Sequence, residues 1–432
     1  MKNRKIKVLI VSSEVWQNET NGGNVLTNLF SGIDAEFAQI YCSAGSPNNN
    51  VCNSYFQITD SMVIKNILTG QIIGNRISLP NDSSFFIKNV AVQENKKVYS
   101  FFRKFRWIGF NLIREILWKI SKWNNKDLNK FITDFDPDVI FAPCYASHYM
   151  LRITRYIKSI TNKNVVSYIS DDHYSLQQWN FSILFWLNKY LLRKNLRRTF
   201  PNYSLVYTMT LEQQRELELA LNANMKILRK GGNFKCTDDA KLVSDPIRMV
   251  FAGGIYCGRW KTLAYIGEVI KKINKNGKRI QLDIYTQNEC SKHQRRLLND
   301  GENIMLHQAI NQTQLHDIYK LSDIALHVES FEKKYKLMTR LSFSTKIVDC
   351  LISGCAVMAI SWEGHSGLKY LKREDAAFCI SDLDLLEKQL LDIVNDPNLI
   401  QQYVYKANVC GKKNHQINDI KSSLYDDLVS YS

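Results

Sequence analysis

The chain lacks most of what would place it outside ordinary globular proteins. Its 432 residues include seven Pro and 19 Gly, too few for a collagenous or linker-dominated protein. Ten cysteines stand singly at 42, 52, 144, 236, 257, 290, 350, 355, 379 and 410, and none forms C-x-x-C. That pattern reads as buried thiols in a reducing cytoplasm, with no disulfide framework and no zinc site. No run of about 18 uninterrupted apolar residues occurs; the nearest, Ile347 to Trp362, contains Asp349. The N-terminal run Val8–Val11 falls short of the apolar core of about 7–15 residues that a signal peptide needs. It reads instead as a buried first strand. A G-x-G-x-x-G dinucleotide fingerprint is missing, and so is any nucleic-acid recognition motif.

What is present points to a folded α/β protein. Hydrophobic residues make up 45% and aromatics 11%, which excludes a disordered chain. The length suits two or three domains. The formal charge is +16, so acidic partners come into view: nucleic acid, an anionic membrane or a phosphorylated substrate.

Short apolar runs alternate with helix-like segments almost throughout. Ile6 to Ser12, Asp138 to Ala142, Val165 to Ile169 and Val206 to Met209 read as strands, with helices at Tyr149 to Ile160 and from Glu212. The polar stretch 234–246 reads as a linker, after which the pattern restarts with Arg248 to Ala252, Ile280 to Tyr285, Ala325 to Val328 and Ala356 to Ile360. This alternation predicts parallel sheets with crossover helices. The expected division is residues 1–233, a linker, residues 247–400, and a helical segment 401–432. Two such halves imply a cleft, with ligands at the carboxyl ends of strands.

Three loops sit where such ligands bind. Gly22-Gly23-Asn24 follows the first strand and permits close backbone approach beside a helix N-terminus; a plain turn explains it equally well. Gly253-Gly254-Ile-Tyr-Cys-Gly258-Arg259-Trp260-Lys261 holds the matching place in the second half. Its glycines offer backbone donors, and Arg259 and Lys261 offer fixed charge to a diphosphate. The third segment runs from Arg340 to Ile360. A polar turn opens a helix near Thr345, with Lys346 and Asp349 on one side of it. Its start can hold a phosphate, and Asp349 can accept hydrogen bonds from ribose hydroxyls.

Ser344-Thr-Lys346-Ile-Val-Asp349-Cys-Leu-Ile-Ser-Gly354-Cys-Ala-Val357 resembles the donor signature of GT-B retaining glycosyltransferases of the bacterial capsule and O-antigen type. Phe251 to Lys261 and Leu321 to Ser330 resemble two further segments of that family. The resemblance covers most of 248–395 and is looser over 1–235. It implies an α/β fold of two Rossmann-like domains facing across a cleft. It also implies sugar transfer from a nucleotide diphosphate sugar with retention of configuration, no divalent metal and no cofactor. On it, Gly254, Arg259, Lys261, Ser344, Thr345 and Lys346 hold the donor diphosphate, Asp349 the ribose, and 401–432 is expected as a helical segment crossing back to the first domain. Leu341 stands where many relatives carry a Glu, which leaves the donor sugar open.

Ser170-Asp171-Asp172-His173 ends a strand in the first half, where relatives often place a His or Asp facing the sugar. Asp172 and His173 are therefore the catalytic candidates, and Gly22, Gly23 and Asn24 the acceptor-side loop. Residues 85–130 carry 11 Lys/Arg against 3 Asp/Glu, half the net charge of the chain. Drawn as a helix, they put Phe102, Phe105, Gly109, Leu112, Ile116 and Ile120 on one face. Arg103, Lys104, Trp107, Arg114, Trp118 and Lys122 fall on the other. Cations with Trp on an exposed face suit an anionic membrane, whereas a solvated basic face is the plain reading. The expected partners are a nucleotide sugar and a glycan or lipid-linked acceptor, with peripheral membrane contact and no nucleic acid. Two rival readings are a sugar-nucleotide epimerase on the same fold and a non-catalytic basic binding protein.

Overall fold

In the first strand, Ile6–Ser12, every residue but Lys7 is buried. A run apolar on both faces needs neighbours and cover on both sides, which a central parallel strand provides. The computed structural model, which describes residues 4–18, 21–78, 108–234 and 242–432, places it there. The first sheet holds β1 (Ile6–Ser12), β2 (Ala35–Tyr41), β3 (Ser54–Gln57), β4 (Asn75–Ser78), β5 (Val139–Pro143), β6 (Val165–Ile169), β7 (Leu205–Thr208) and β8 (Met225–Ile227). Its spatial order is β4-β3-β2-β1-β5-β6-β7-β8. Only the β3–β4 pair is antiparallel.

The second sheet holds β9 (Ile247–Ala252), β10 (Ile280–Thr286), β11 (Ile304–Gln308), β12 (Ile324–Val328), β13 (Ala356–Ile360) and β14 (Phe378–Ile380). Its order is β11-β10-β9-β12-β13-β14, all parallel. The strand order reverses beside β1 in one sheet and beside β9 in the other, and a crevice opens outside the strand ends at such a switch point. Both Gly-containing loops of the sequence leave from these two strands.

The chain end ties the halves together. Helix Asn398–His415 packs on β13. Helix Ile417–Ser430 adds Leu424 and Leu428 to the apolar core around β1 and β7. Tyr207 donates its hydroxyl to Asp427 at 2.6 Å, and Lys226 pairs with the same carboxylate.

One expectation is overturned. Helix Ile108–Ile120 turns its basic aromatic face inward. Trp118 is fully buried, stacks on Tyr149 at 4.2 Å and donates its indole N–H to Asp60 at 2.7 Å. Arg114 grips the same carboxylate at 2.8 and 3.0 Å and donates to the Tyr149 hydroxyl at 3.0 Å. The face expected in the core is the outer one: Ile116 and Ile120 are more than half exposed, as is Ile113. A buried Trp N–H and a buried guanidinium each need a partner, and Asp60 supplies both. Arg114 and Trp118 are thus not membrane-facing. Lys122 is exposed; Arg103, Lys104 and Trp107 lie outside the described residues.

Candidate functional site

The two domains face each other across a cleft of about 830 Å³. Its first-domain wall includes Asn24, Asp171, Asp172, His173, Lys189 and Lys230; the opposite wall includes Arg259, Glu329, Ser344, Thr345, Lys346 and Asp349.

On the second-domain wall, β9 runs into Gly253. A Cβ there would fall 1.5 Å from Lys346 Nζ, so glycine at 253 is what lets the Lys346 side chain lie across the loop. Gly258, at φ 77°, caps helix Arg259–Ile273. Arg259 is its first residue and donates to Glu329 through Nε at 3.1 Å and Nη2 at 2.7 Å. This fork-to-fork pair is nearly dry, with side chains 13% and 3% exposed. Burial opposes the charge on Glu329, but Arg259 outweighs it and holds the carboxyl below its usual range. Lys346 has no ion pair among the described residues. Burial, with the repulsion of Arg259 added, pulls its ammonium down to about 8. Arg259 and Lys346 therefore converge on the cleft beside Glu329, and with Asp349 of the same wall matched by Lys230 a surplus positive charge remains in a sheltered place.

The other sequence-derived donor residues divide. Ser344 and Thr345 line the wall directly before helix Lys346–Ile352. Gly254 lies behind the Tyr256 ring, 2.2 Å from where its Cβ would be. Lys261 points away, pairs with Glu332 at the surface and is not among the cleft-lining residues. The first N–H groups of the Arg259 helix are already bonded to the carbonyls of Tyr256, Ile255 and Gly258. The charge that faces the cleft thus belongs to Arg259 and Lys346 rather than to Lys261 or the helix end. Asp349 lines the cleft and takes the Lys230 ammonium at 2.6 Å from across the domain boundary.

On the first-domain wall, Gly22 and Gly23 fall within the first turn of helix Asn21–Phe30 rather than in a turn before it, and Asn24 reaches the cleft. Asp172 is 3% exposed and engaged internally: it accepts from Ser175 N at 2.8 Å and from Arg340 Nη2 at 3.3 Å. His173 lines the cleft, and burial pulls its pKa below the usual histidine value, so it is neutral at physiological pH. Lys189 braces this loop by donating to the Asp172 and His173 carbonyls at 3.4 and 3.0 Å.

Several of these partners escaped the sequence reading. Arg340 of the second domain binds Glu216 of the first at 2.8 Å as well as Asp172. Thr210 donates to the Leu341 carbonyl at 3.1 Å. Together they clamp the domains beside the cleft. Behind Arg259 lies a cluster that contrasts with the expectation of no metal-ligating group. His327, Glu329 and His365 are all buried, with potential ligand atoms within 4.8 Å of one another. The trio is close enough to surround a cation, yet Glu329 already receives both Arg259 donors and His365 Nδ1 accepts from Leu368 N at 3.3 Å. The present arrangement steadies Arg259. Only the His327-x-Glu329 spacing was visible in the sequence; His365 arrives from another strand end.

These two parallel-sheet domains and their cleft define the GT-B fold. Solved structures of that architecture align along nearly the whole chain. Anabaena HepE in complex with UDP matches with a TM-score of 0.62 at 10% identity, over 98% of this chain and 100% of its own. Sucrose-phosphate synthase from Thermosynechococcus elongatus gives 0.60 at 12%, over 99% and 100%. The E. coli trehalose-6-phosphate structure bound with UDP-2-fluoro glucose gives 0.58 at 12%, over 98% of each chain. At such identities the likeness is one of fold. No family model and no curated protein matches the chain.

Proposed function

We propose that this protein is a glycosyltransferase that moves a sugar from a nucleotide diphosphate sugar to a glycan or polysaccharide precursor. One observation carries the reading: Arg259 and Lys346 converge on the cleft beside Glu329, while the nearby Asp349 is matched by Lys230. A diphosphate is the ligand that such a surplus suits. It develops negative charge as it leaves the sugar, and preorganised cations stabilise that charge most in a sheltered site. Arg259 suits bidentate contact with phosphate oxygens, and Lys346 acts as a point charge. Ser344 and Thr345 add hydroxyl donors. Asp349 exchanges Lys230 for the ribose hydroxyls, and neutral His173 hydrogen-bonds the transferred sugar. Asp172, held by Ser175 and Arg340, sets the position of the His173 loop instead of reacting. The resemblance of the 344–357 segment to the donor signature of retaining capsule and O-antigen enzymes favours retention of configuration, transfer without a divalent metal and a lipid-linked acceptor met at the cytoplasmic face of the membrane.

A thermal-shift panel of UDP, GDP, CDP and dTDP tests the donor site. A ligand of the native state raises the melting temperature. Stabilisation by one nucleotide that disappears in Lys346→Ala supports the reading. The absence of any shift with all four removes it.

A further inference from the structure

Helix Ile183–Thr199 carries two apolar stripes. The inner one, with Leu192 and Leu196, packs into the first domain. The outer one comprises Ile183, Leu184, Leu187, Tyr190 and Leu191, at spacings i, i+1, i+4, i+7 and i+8. That is the pattern of a buried helix face, yet all five are exposed. The loop before the helix extends it with Leu176, Trp179 and Phe181, and Phe181 and Ile183 are 86% and 84% exposed. Large exposed apolar groups in one continuous segment mark a contact surface rather than scattered surface residues.

The charge around this surface identifies the partner. Further along the same helix the exposed positions become Lys194, Arg197 and Arg198. Lys333 Nζ lies over the Trp179 ring at 4.3 Å. The Ile108–Ile120 helix packs against this one and shows Ile113, Ile116 and Lys119 outward. Exposed apolar side chains bordered by cations fit the interface of an anionic bilayer, where the apolar groups enter the acyl boundary and the cations meet the headgroups.

We propose that the 176–191 surface docks this protein on an anionic phospholipid bilayer. The same helix turns Phe185, Asn188 and Leu192 into the cleft. The outer stripe lies on the other side of this helix, so a bilayer docked there sits about one helix diameter, ~10–12 Å, from the cleft wall, within reach of an amphiphilic acceptor that keeps its tail in the membrane. The docking itself is independent of the donor reading, since vesicle binding and nucleotide binding are measured separately.

Co-sedimentation of the full chain with phosphatidylcholine vesicles, with and without phosphatidylglycerol, tests the proposal. Wild type should bind the anionic vesicles in preference, and more weakly as salt rises. Phe181→Asp with Ile183→Asp should weaken that binding at least about a hundredfold while any nucleotide thermal shift stays as in wild type. Leu385→Asp, at an exposed apolar position of the second domain, should change nothing. Equal binding to neutral and anionic vesicles overturns the proposal, as does equal binding by wild type and the double variant. Should wild type bind no vesicles, light scattering reassigns the face: a dimer lost in the double variant gives it to a second copy, and a fall in melting temperature gives it to this chain's own fold.

Discussion

Replacing Lys346 by Met should move stability and ligand binding in opposite directions. The ammonium lies across Gly253, with burial and Arg259 both against its charge. Its pKa falls from 10.5 to about 8, which corresponds to up to about 3 kcal/mol held against the folded state at neutral pH. The sign follows from linkage. Between about pH 8 and 10.5 the unfolded chain binds the proton that the folded chain has released, so stability rises with pH across that window. Met fills similar space without the charge, so Lys346→Met should melt a few degrees higher than wild type at pH 7. The difference should shrink toward pH 10. The same change removes a charge-assisted contact of about 1.5–3 kcal/mol to a diphosphate, a loss of about 10- to 150-fold in affinity. In wild type, nucleoside diphosphate affinity should decline above about pH 8 as free Lys346 loses its proton; in Lys346→Met that dependence should vanish. Scanning calorimetry and titration calorimetry read the two effects. A variant that is less stable than wild type at pH 7, or one that keeps full affinity, refutes the reasoning.

Further outcomes follow from the same contacts. Gly253→Ala drives a methyl into Lys346 and should cost about tenfold or more in nucleotide affinity with no change in protein charge, measurable by titration calorimetry. Glu329→Gln strands Arg259 in a nearly dry site and should destabilise the fold by about 3–5 kcal/mol in urea unfolding. Trp118→Ala should cost about 3–5 kcal/mol, whereas a Trp lying on the surface would leave unfolding almost unchanged. Arg340→Met breaks the ties to Asp172 and Glu216, and small-angle scattering should then report a larger radius of gyration for the free protein. An unchanged radius would show that the remaining contacts between the domains suffice.

Strands buried on both faces were the most legible part of the sequence. Ile6–Ser12, Val165–Ile169 and Ala356–Ile360 have the bounds that their apolar runs predict, because such runs have no polar face to confuse the reading. β2, β3, β4, β8, β11 and β14 were not read as strands: five of them have only three to five residues, too few for a period to emerge, and Glu36 and Gln39 interrupt the apolar run of the seven-residue β2. The Ile108–Ile120 helix was read inside out because both its faces carry large apolar groups. The choice between them depends on Asp60, 58 positions from Trp118. The same limit hid most of the site chemistry. Arg259, Lys346 and Asp349 were visible as residue types in a spacing, but their partners were not. Glu329 lies 70 positions from Arg259 and Lys230 lies 119 from Asp349. The same separation hid Arg340, 168 positions from Asp172, as the partner of that carboxylate.

The central claim is sugar transfer from a donor bound at Arg259 and Lys346. It is tested most directly by following a nucleotide sugar, of the base chosen by the thermal-shift panel, by NMR with purified protein and a membrane extract as acceptor. The account predicts release of the nucleoside diphosphate that requires the acceptor, is strongly reduced in Lys346→Met, and leaves the donor unchanged when no acceptor is present. Conversion of the donor sugar to an epimer without acceptor, or equal release by wild type and Lys346→Met, would contradict it.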